Sequence, residues 1–268
     1  MTRRTALLSL TAGSLWAQAA RKIQVLIITG RDDHDWRGVT PLMRQYLDAA
    51  GVFETRIAEE FRDAGPDSLN RYDAAVLVYA DKLPEDHWSD RSKAVLRDFV
   101  HGGKGLVVYH HSSTAFKDWS EFGRMCGGNY YGAAQHSLIH DFTVTFTDRE
   151  HPITRGLKKS FLQTQDELYA SMQMQPAGAY HVLATGWDDH SLYNGKFKTP
   201  LSGSGANEPL LWTVDYGKGR AFATMIGHSA KAAQCLGFRA TFTRGVEWAA
   251  TGDVTQAPPA EMAETGAR

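Results

Sequence analysis

The chain has 268 residues, 43% of them apolar and 22% charged, and a net charge of −1 from 29 Lys and Arg against 30 Asp and Glu. This is the profile of a globular protein of one large domain or two small ones, and it excludes collagen-like, coiled-coil and wholly disordered chains. With no basic excess, a general nucleic-acid or anionic-membrane binder is not expected.

The N-terminus reads as an export signal. Arg3-Arg4 precedes a mildly apolar run from Ala6 to Ala17, and Ala17-Gln18-Ala19 has the small-x-small form of a cleavage site. The run is shorter than the roughly 20 residues that a membrane span needs. The arginine pair favours the twin-arginine route. Residues 1–19 are therefore expected to be removed, with a mature start near Ala20 and a periplasmic or secreted location.

Strand and helix patterns then alternate. Ile23–Ile28 is a β-branched run suited to a strand buried on both faces. Val39–Ala50 has helical spacing through Leu42, Met43, Tyr46 and Leu47, with Gly51 as its C-cap. Strands are expected at 53–58, 74–79 and 105–109, and a helix from Pro84 through Val100, closed at Gly102-Gly103. Such alternation implies a parallel sheet with helices on both faces. Shorter strands follow at 142–146, 181–184, 210–214 and 220–226, with a hairpin turn at Tyr216-Gly217-Lys218-Gly219. An exposed loop is expected at 195–207, a closing helix at 238–250, and a disordered tail over 253–268.

In an open parallel sheet, ligands bind beyond the carboxyl ends of the strands. Three such loops carry histidine: Gly30–Trp36 with His34, His110–Thr114 with His110 and His111, and Gly227-His228-Ser229. Eleven histidines, seven Trp and ten Tyr allow a site built of imidazole and aromatic rings. Asp166-Glu167 stands before the apolar pair Leu168-Tyr169. His136 and His140 have the i, i+4 spacing that would place both rings on one helical face, but they lack the neighbouring Glu of a metalloprotease helix.

Several chemistries lack their motifs. Gly102-Gly103-Lys104-Gly105 precedes a strand, so it is not a Walker loop; no G-x-G-x-x-G follows the first strand, and no G-x-S-x-G elbow occurs. Neither Cys126 nor Cys235 falls at a strand-to-helix turn, so a cysteine nucleophile is not expected. Two cysteines cannot build a disulfide framework or a cysteine zinc site, and whether they pair is open.

Taken together, these segments resemble the ThuA-like family, named for trehalose utilisation. The matching stretches are Val25–Gly30 with His34-Asp35-Trp36, Tyr109-His110-His111-Ser112 with Phe116, Asp118 and Trp119, and His151–Gly156. They continue through Asp166–Tyr169, Glu208–Trp212, Tyr216–Arg220, Gly227-His228 and Arg244–Gly252. The resemblance spans roughly residues 23–252 and implies a flavodoxin-like, three-layer α/β fold with a mainly parallel sheet, similar to class I glutamine amidotransferases. It places His228 where those enzymes hold their histidine. At the elbow, His110 or His111 stands in place of their cysteine, so glutamine hydrolysis is not expected.

The expected function is catabolism of a trehalose-like or keto-sugar by histidine- or metal-assisted isomerisation, elimination or hydrolysis. A keto-sugar has acidic C–H bonds beside its carbonyl, which call for a base of near-neutral pKa and a group that stabilises the enolate. The expected catalytic residues are His111, His228 and Glu167. His34, Asp35, Trp36, His110, Trp119, Tyr130 and Tyr131 are expected to bind the sugar. A divalent metal would take ligands from His34, His111, Glu167 and His228. The alternative is a periplasmic carbohydrate-binding protein without catalysis. A small-molecule carbohydrate is the expected partner, and self-association into a homo-oligomer is left open.

Overall fold

Strand β1 (Ile23–Ile28) is buried from Val25 to Ile28, so both faces of the strand are covered, as a strand inside a parallel sheet requires. The computed structural model describes residues 21–193 and 202–264. The expected export signal and most of the 195–207 loop lie outside them. The remaining sheet strands are β2 (Phe53–Ala58), β3 (Ala74–Leu77), β4 (Gly105–Tyr109), β5 (His140–Phe146), β6 (Ser160–Asp166), β7 (His181–Trp187), β8 (Asn207–Tyr216) and β9 (Gly219–Thr224). Their order is β2-β1-β3-β4-β9-β8-β7-β5-β6.

Strands β2, β1, β3, β4 and β9 are mutually parallel. From β9 outward, every further pairing is antiparallel. Direction therefore alternates through β8, β7 and β5, and β6 again runs the same way as β1. The carboxyl ends of β1, β4, β9 and β6 all reach one edge of the sheet.

Helix α1 (Trp36–Ala50) joins β1 to β2, and α2 (Asp90–His101) joins β3 to β4. These crossovers step in opposite directions from the centre of the sheet, so right-handedness places the two helices on opposite faces. Helix α3 (Ser120–Cys126) packs on β8 and β9, while α5 (Leu236–Thr251) contacts α1, β3, β4 and β9. Helix α5 also contacts β6 and the short α4 (Ala230–Ala233) before it. The antiparallel half thus curls over α5 and carries the end of β6 back towards the end of β9.

Four sequence expectations are corrected. Pro84 opens only a 3-10 turn ending at Asp86; α2 starts after Ser89, whose hydroxyl accepts the Ser92 amide, because serine is a stronger N-cap than Leu83. Strand β6 has no counterpart among the expected elements. His136 and His140 share no helix: the first lies in a two-residue strand and the second begins β5.

The fourth correction is the tail, which is packed as far as Glu264. Val254 and Met262 are buried, Lys158 donates its amide to Met262 (2.7 Å), and Leu157 bridges Ala263. The Glu247 carboxylate accepts from the Thr255 amide and the Gln256 side chain, both at 2.9 Å. Two apolar anchors and one buried acceptor hold a segment whose composition carries no periodic pattern.

Candidate metal centre

Four chain segments deliver the site, each leaving the same sheet edge. The turn after β4 is an elbow: His110 has φ 37° and starts a 3-10 turn through Thr114. Left-handed backbone is unusual for a non-glycine residue, and here it turns both His110 and His111 inward. After β9, Gly227 has φ 106°, and a Cβ there would stand 2.8 Å from the Phe238 ring, so only glycine fits. At the end of β6, buried Asp166 accepts the amides of Gly227 (2.6 Å), His228 (2.9 Å) and Glu167 (2.9 Å). This carboxylate ties the end of β6 to the loop after β9, although the two strands are not neighbours in the sheet.

Glu167 is the centre of the cluster. Its Oε1 lies 2.9 Å from His228 Nδ1, 3.4 Å from His110 Nε2 and 3.6 Å from His34 Nε2. Its Oε2 lies 2.9 Å from His136 Nδ1. The first three nitrogens are buried and none makes an aligned hydrogen bond. Donor atoms from His34, His110, Glu167 and His228 all lie within 4.8 Å of one another.

The tautomers explain why. His110 Nδ1 is 2.8 Å from the Met225 carbonyl oxygen, which only accepts, so Nδ1 carries the proton. His34 Nδ1 is 3.0 Å from Asp33 Oδ1, which again makes Nδ1 the donor. In each neutral ring, Nε2 then presents a lone pair towards a carboxylate oxygen. Two lone pairs facing an anion repel unless a cation stands between them; in the metal-free protein that cation is the second proton of His34, and a metal ion would take its place. Three imidazoles and one carboxylate are a donor set for a divalent first-row metal such as zinc, and a carbonyl or carboxylate behind each ligand histidine is the usual supporting contact. The residues present fit such an ion.

A second cluster adjoins the first. His111 Nδ1 is 2.5 Å from Asp32 Oδ1, and His111 Nε2 is 3.0 Å from Asp33 Oδ1 and 3.4 Å from Thr114 Oγ1. The His34 ring lies between the two clusters, stacked on His111 at 3.8 Å and 4.6 Å from the His228 ring. The metal-free charge pattern follows. Burial opposes charge on His34, but contacts with Asp32, Glu167 and Asp33 outweigh it and raise its pKa to about 10. Burial opposes the Glu167 carboxylate too, yet its contacts with His110, His136, His228 and His34 hold it far below the usual range. Desolvation dominates at His111 and lowers it. Of two stacked imidazoles, one carries the charge, and it is His34.

The sequence comparison matches residues 24–249 to the family model for ThuA, trehalose utilisation. The chain belongs to the ThuA family. Its fold is similar to that of a ThuA-like protein from Parabacteroides merdae, with a TM-score of 0.78, 29% identity, and coverage of 90% of this chain and 95% of that one. A ThuA-like protein from Bacteroides uniformis matches at a TM-score of 0.68 and 16% identity, over 91% and 97% of the two chains. The carbohydrate deacetylase Agd3 shares the fold at 0.51 and 14% identity, over 84% of this chain and 32% of its own. No curated protein matches the chain in sequence. Membership of the ThuA family ties the chain to carbohydrate utilisation, and the mixed α/β fold with a mostly parallel central sheet agrees with the expected class.

Within this ThuA fold the expected residues divide. His34, His110, His111, Glu167 and His228 lie together at one sheet edge, where His110 faces Glu167 and His111 turns to Asp32 and Asp33. Alternation along an extended strand would send adjacent side chains to opposite faces; both histidines turn inward here because the elbow backbone is left-handed at His110. Asp35 is the N-cap of α1, its side chain accepting the Gly38 amide at 3.0 Å, and it stands outside the cluster. Trp36 is buried with the Arg37 guanidinium 4.1 Å over its ring. Trp119, Tyr130 and Tyr131 line a cleft of about 440 Å³ beside Thr114. Residue type and spacing do not single out Asp32 and Asp33, which flank His111, or Asp166, which holds the loop of His228, and His136 reaches Glu167 from a two-residue strand.

Proposed function

We propose that the chain is a sugar-modifying enzyme with a divalent metal held by His34, His110, Glu167 and His228, acting on a trehalose-like or keto-sugar substrate. The observation that carries this reading is the convergence of three buried ring nitrogens, of His34, His110 and His228, on the buried Glu167 carboxylate. A divalent ion bound there supplies Lewis-acid polarisation of a substrate oxygen. The chain's own residues supply the rest. Asp32 accepts the Nδ1 proton of His111, so Nε2, which lies 3.0 Å from Asp33 Oδ1, is the ring atom through which His111 and Asp33 together would take or return a proton at the substrate. Buried Asp32 orients that ring and stabilises its cationic form. The convergence of His228 on Glu167 favours ligation over proton transfer, which refines the expectation of an acid–base role for His228. Trp119, Tyr130 and Tyr131 form the wall against which a pyranose ring would lie.

Metal analysis of purified protein, followed by incubation with trehalose and its keto derivative and product analysis, tests the reading. The expected result is one divalent ion per chain and turnover, with Glu167→Ala losing both. Sugar binding without turnover in the metal-loaded protein would instead make this a binding protein. We further propose export to the periplasm or medium, on the N-terminal pattern alone; an intact Met1 or Thr2 in a wholly cytosolic product would defeat it.

A further inference from the structure

The cleft beside the metal centre does not end at the residues that touch it. It meets the adjoining His111 cluster at two points: Thr114 Oγ1 is 3.4 Å from His111 Nε2, and Lys82 Nζ is 3.8 Å from Asp33 Oδ2. Phe116, Lys117, Trp119 and Tyr131 line this cleft, and the same four residues line a second hollow of about 550 Å³. The two hollows are therefore halves of one groove that meet at an aromatic ridge.

The ridge is fixed in place. Trp119 packs on Phe116 and Phe122, with ring centroids 5.4 and 6.0 Å away. The Tyr131 hydroxyl donates to the carbonyls of Ala115 (2.5 Å) and Thr114 (3.1 Å). Beyond the ridge, the second hollow is lined by the amides of Asn129, Gln173 and Gln175. A Cβ on Gly123 would stand 2.9 Å from Asn129 Oδ1 and 3.3 Å from Gln175 Nε2. The absent side chain at Gly123 thus leaves an amide oxygen and an amide nitrogen side by side on the groove floor.

We propose that this groove carries further sugar subsites, so that the substrate is an oligosaccharide or extended glycoside rather than a monosaccharide. This rests on the carbohydrate reading above and extends it. Aromatic faces match the C–H face of a pyranose, and primary amides give and accept the hydrogen bonds that vicinal hydroxyls offer. The charges along the first half are of both signs, with Lys82, Lys93 and Lys117 against Asp81 and Asp118. That mixture suits a neutral, hydroxylated chain better than a polyanion.

The test uses full-length protein stripped of metal with EDTA, so that binding is read without turnover. It is titrated calorimetrically with glucose and with malto- and cello-oligosaccharides of two to five units. The expected result is that affinity rises at least tenfold from glucose to the tetrasaccharide in one series. Gln173→Ala and Gln175→Ala, which alter groove-lining amides and no core residue, should lower the tetrasaccharide-to-glucose affinity ratio at least fivefold. Equal affinity at every length, no binding in either series, or an unchanged ratio in both variants would overturn the proposal. A length-dependent affinity in a protein that shows no turnover when metal-loaded would sink the catalytic reading and leave the groove standing.

Discussion

His110 Nδ1 lies 2.8 Å from the carbonyl oxygen of Met225, and this contact decides which nitrogen of the ring faces Glu167. A backbone carbonyl cannot donate, so the neutral ring has one tautomer, with its lone pair inside the cluster. The contact joins the elbow after β4 to the segment after β9, two parallel neighbours in the sheet. The site is thereby organised before any ligand arrives.

Metal binding should strengthen with pH. In the metal-free protein the carboxylates around His34 raise its pKa to about 10, and an arriving ion must displace that proton. Apparent affinity should rise about tenfold per pH unit between 6 and 8, with about one proton released per ion from this group. Calorimetry in buffers of different ionisation enthalpy reads both quantities. The linkage for folding has the opposite sign. A histidine raised on folding contributes stability that is whole below about 6.5 and is lost as pH rises through about 10. Thermal unfolding of metal-free protein should therefore show this contribution fading across that window. An affinity that does not change between pH 6 and 8 would rule out His34 as a protonated ligand.

Asp166→Asn should cost about 3 kcal/mol in stability, since a buried carboxylate that accepts several amide donors is replaced by a group that accepts at one atom only. Its burial pushes the carboxyl pKa up, while the amides of Gly227, His228 and Glu167 favour the charged form. Because those amides place two candidate ligands, metal affinity should fall as well. Denaturant unfolding with and without metal checks this; a stable variant with wild-type metal affinity would contradict it.

Cys126 should be inert in the native state. The thiol is buried and its pKa is pushed up to about 12 by desolvation, so almost no thiolate exists at pH 8. Ellman's reagent should modify Cys235 alone until denaturant is added. Cys126→Ser should leave metal binding and turnover within a few-fold. Rapid native labelling of both cysteines is the result that would refute the assignment.

Deleting residues 253–268 should destabilise the domain by about 3–5 kcal/mol. Val254 and Met262 leave the core, and Glu247 loses its contacts with Thr255 and Gln256. Arg244, which donates to the Ile153 and Pro152 carbonyls, would face water on the side that the tail now covers. A melting temperature unchanged from that of the full chain would show the tail to be dispensable.

The sequence by itself determined the parallel half of the fold. Ile23–Ile28, Phe53–Ala58 and Gly105–Tyr109 carry local patterns that match strand bounds residue for residue, because burial on both faces leaves an apolar run in the first and third, and an edge position leaves alternation in the second. The rule that ligands gather at strand ends likewise selected the loops of His34, His110 and His228. Tertiary structure decided the rest. Strand β6, Ser-Phe-Leu-Gln-Thr-Gln-Asp, has no clean alternation, and only the curl of the antiparallel half over α5 brings its Glu167 among the histidines. Which of His110 and His111 faces Glu167 depended on one left-handed φ and one carbonyl contact, neither of which residue type reveals. The packed tail and the carboxylate of Asp166 belong to the same class, since contacts between residues 60 or more positions apart leave no periodic trace in the chain that makes them.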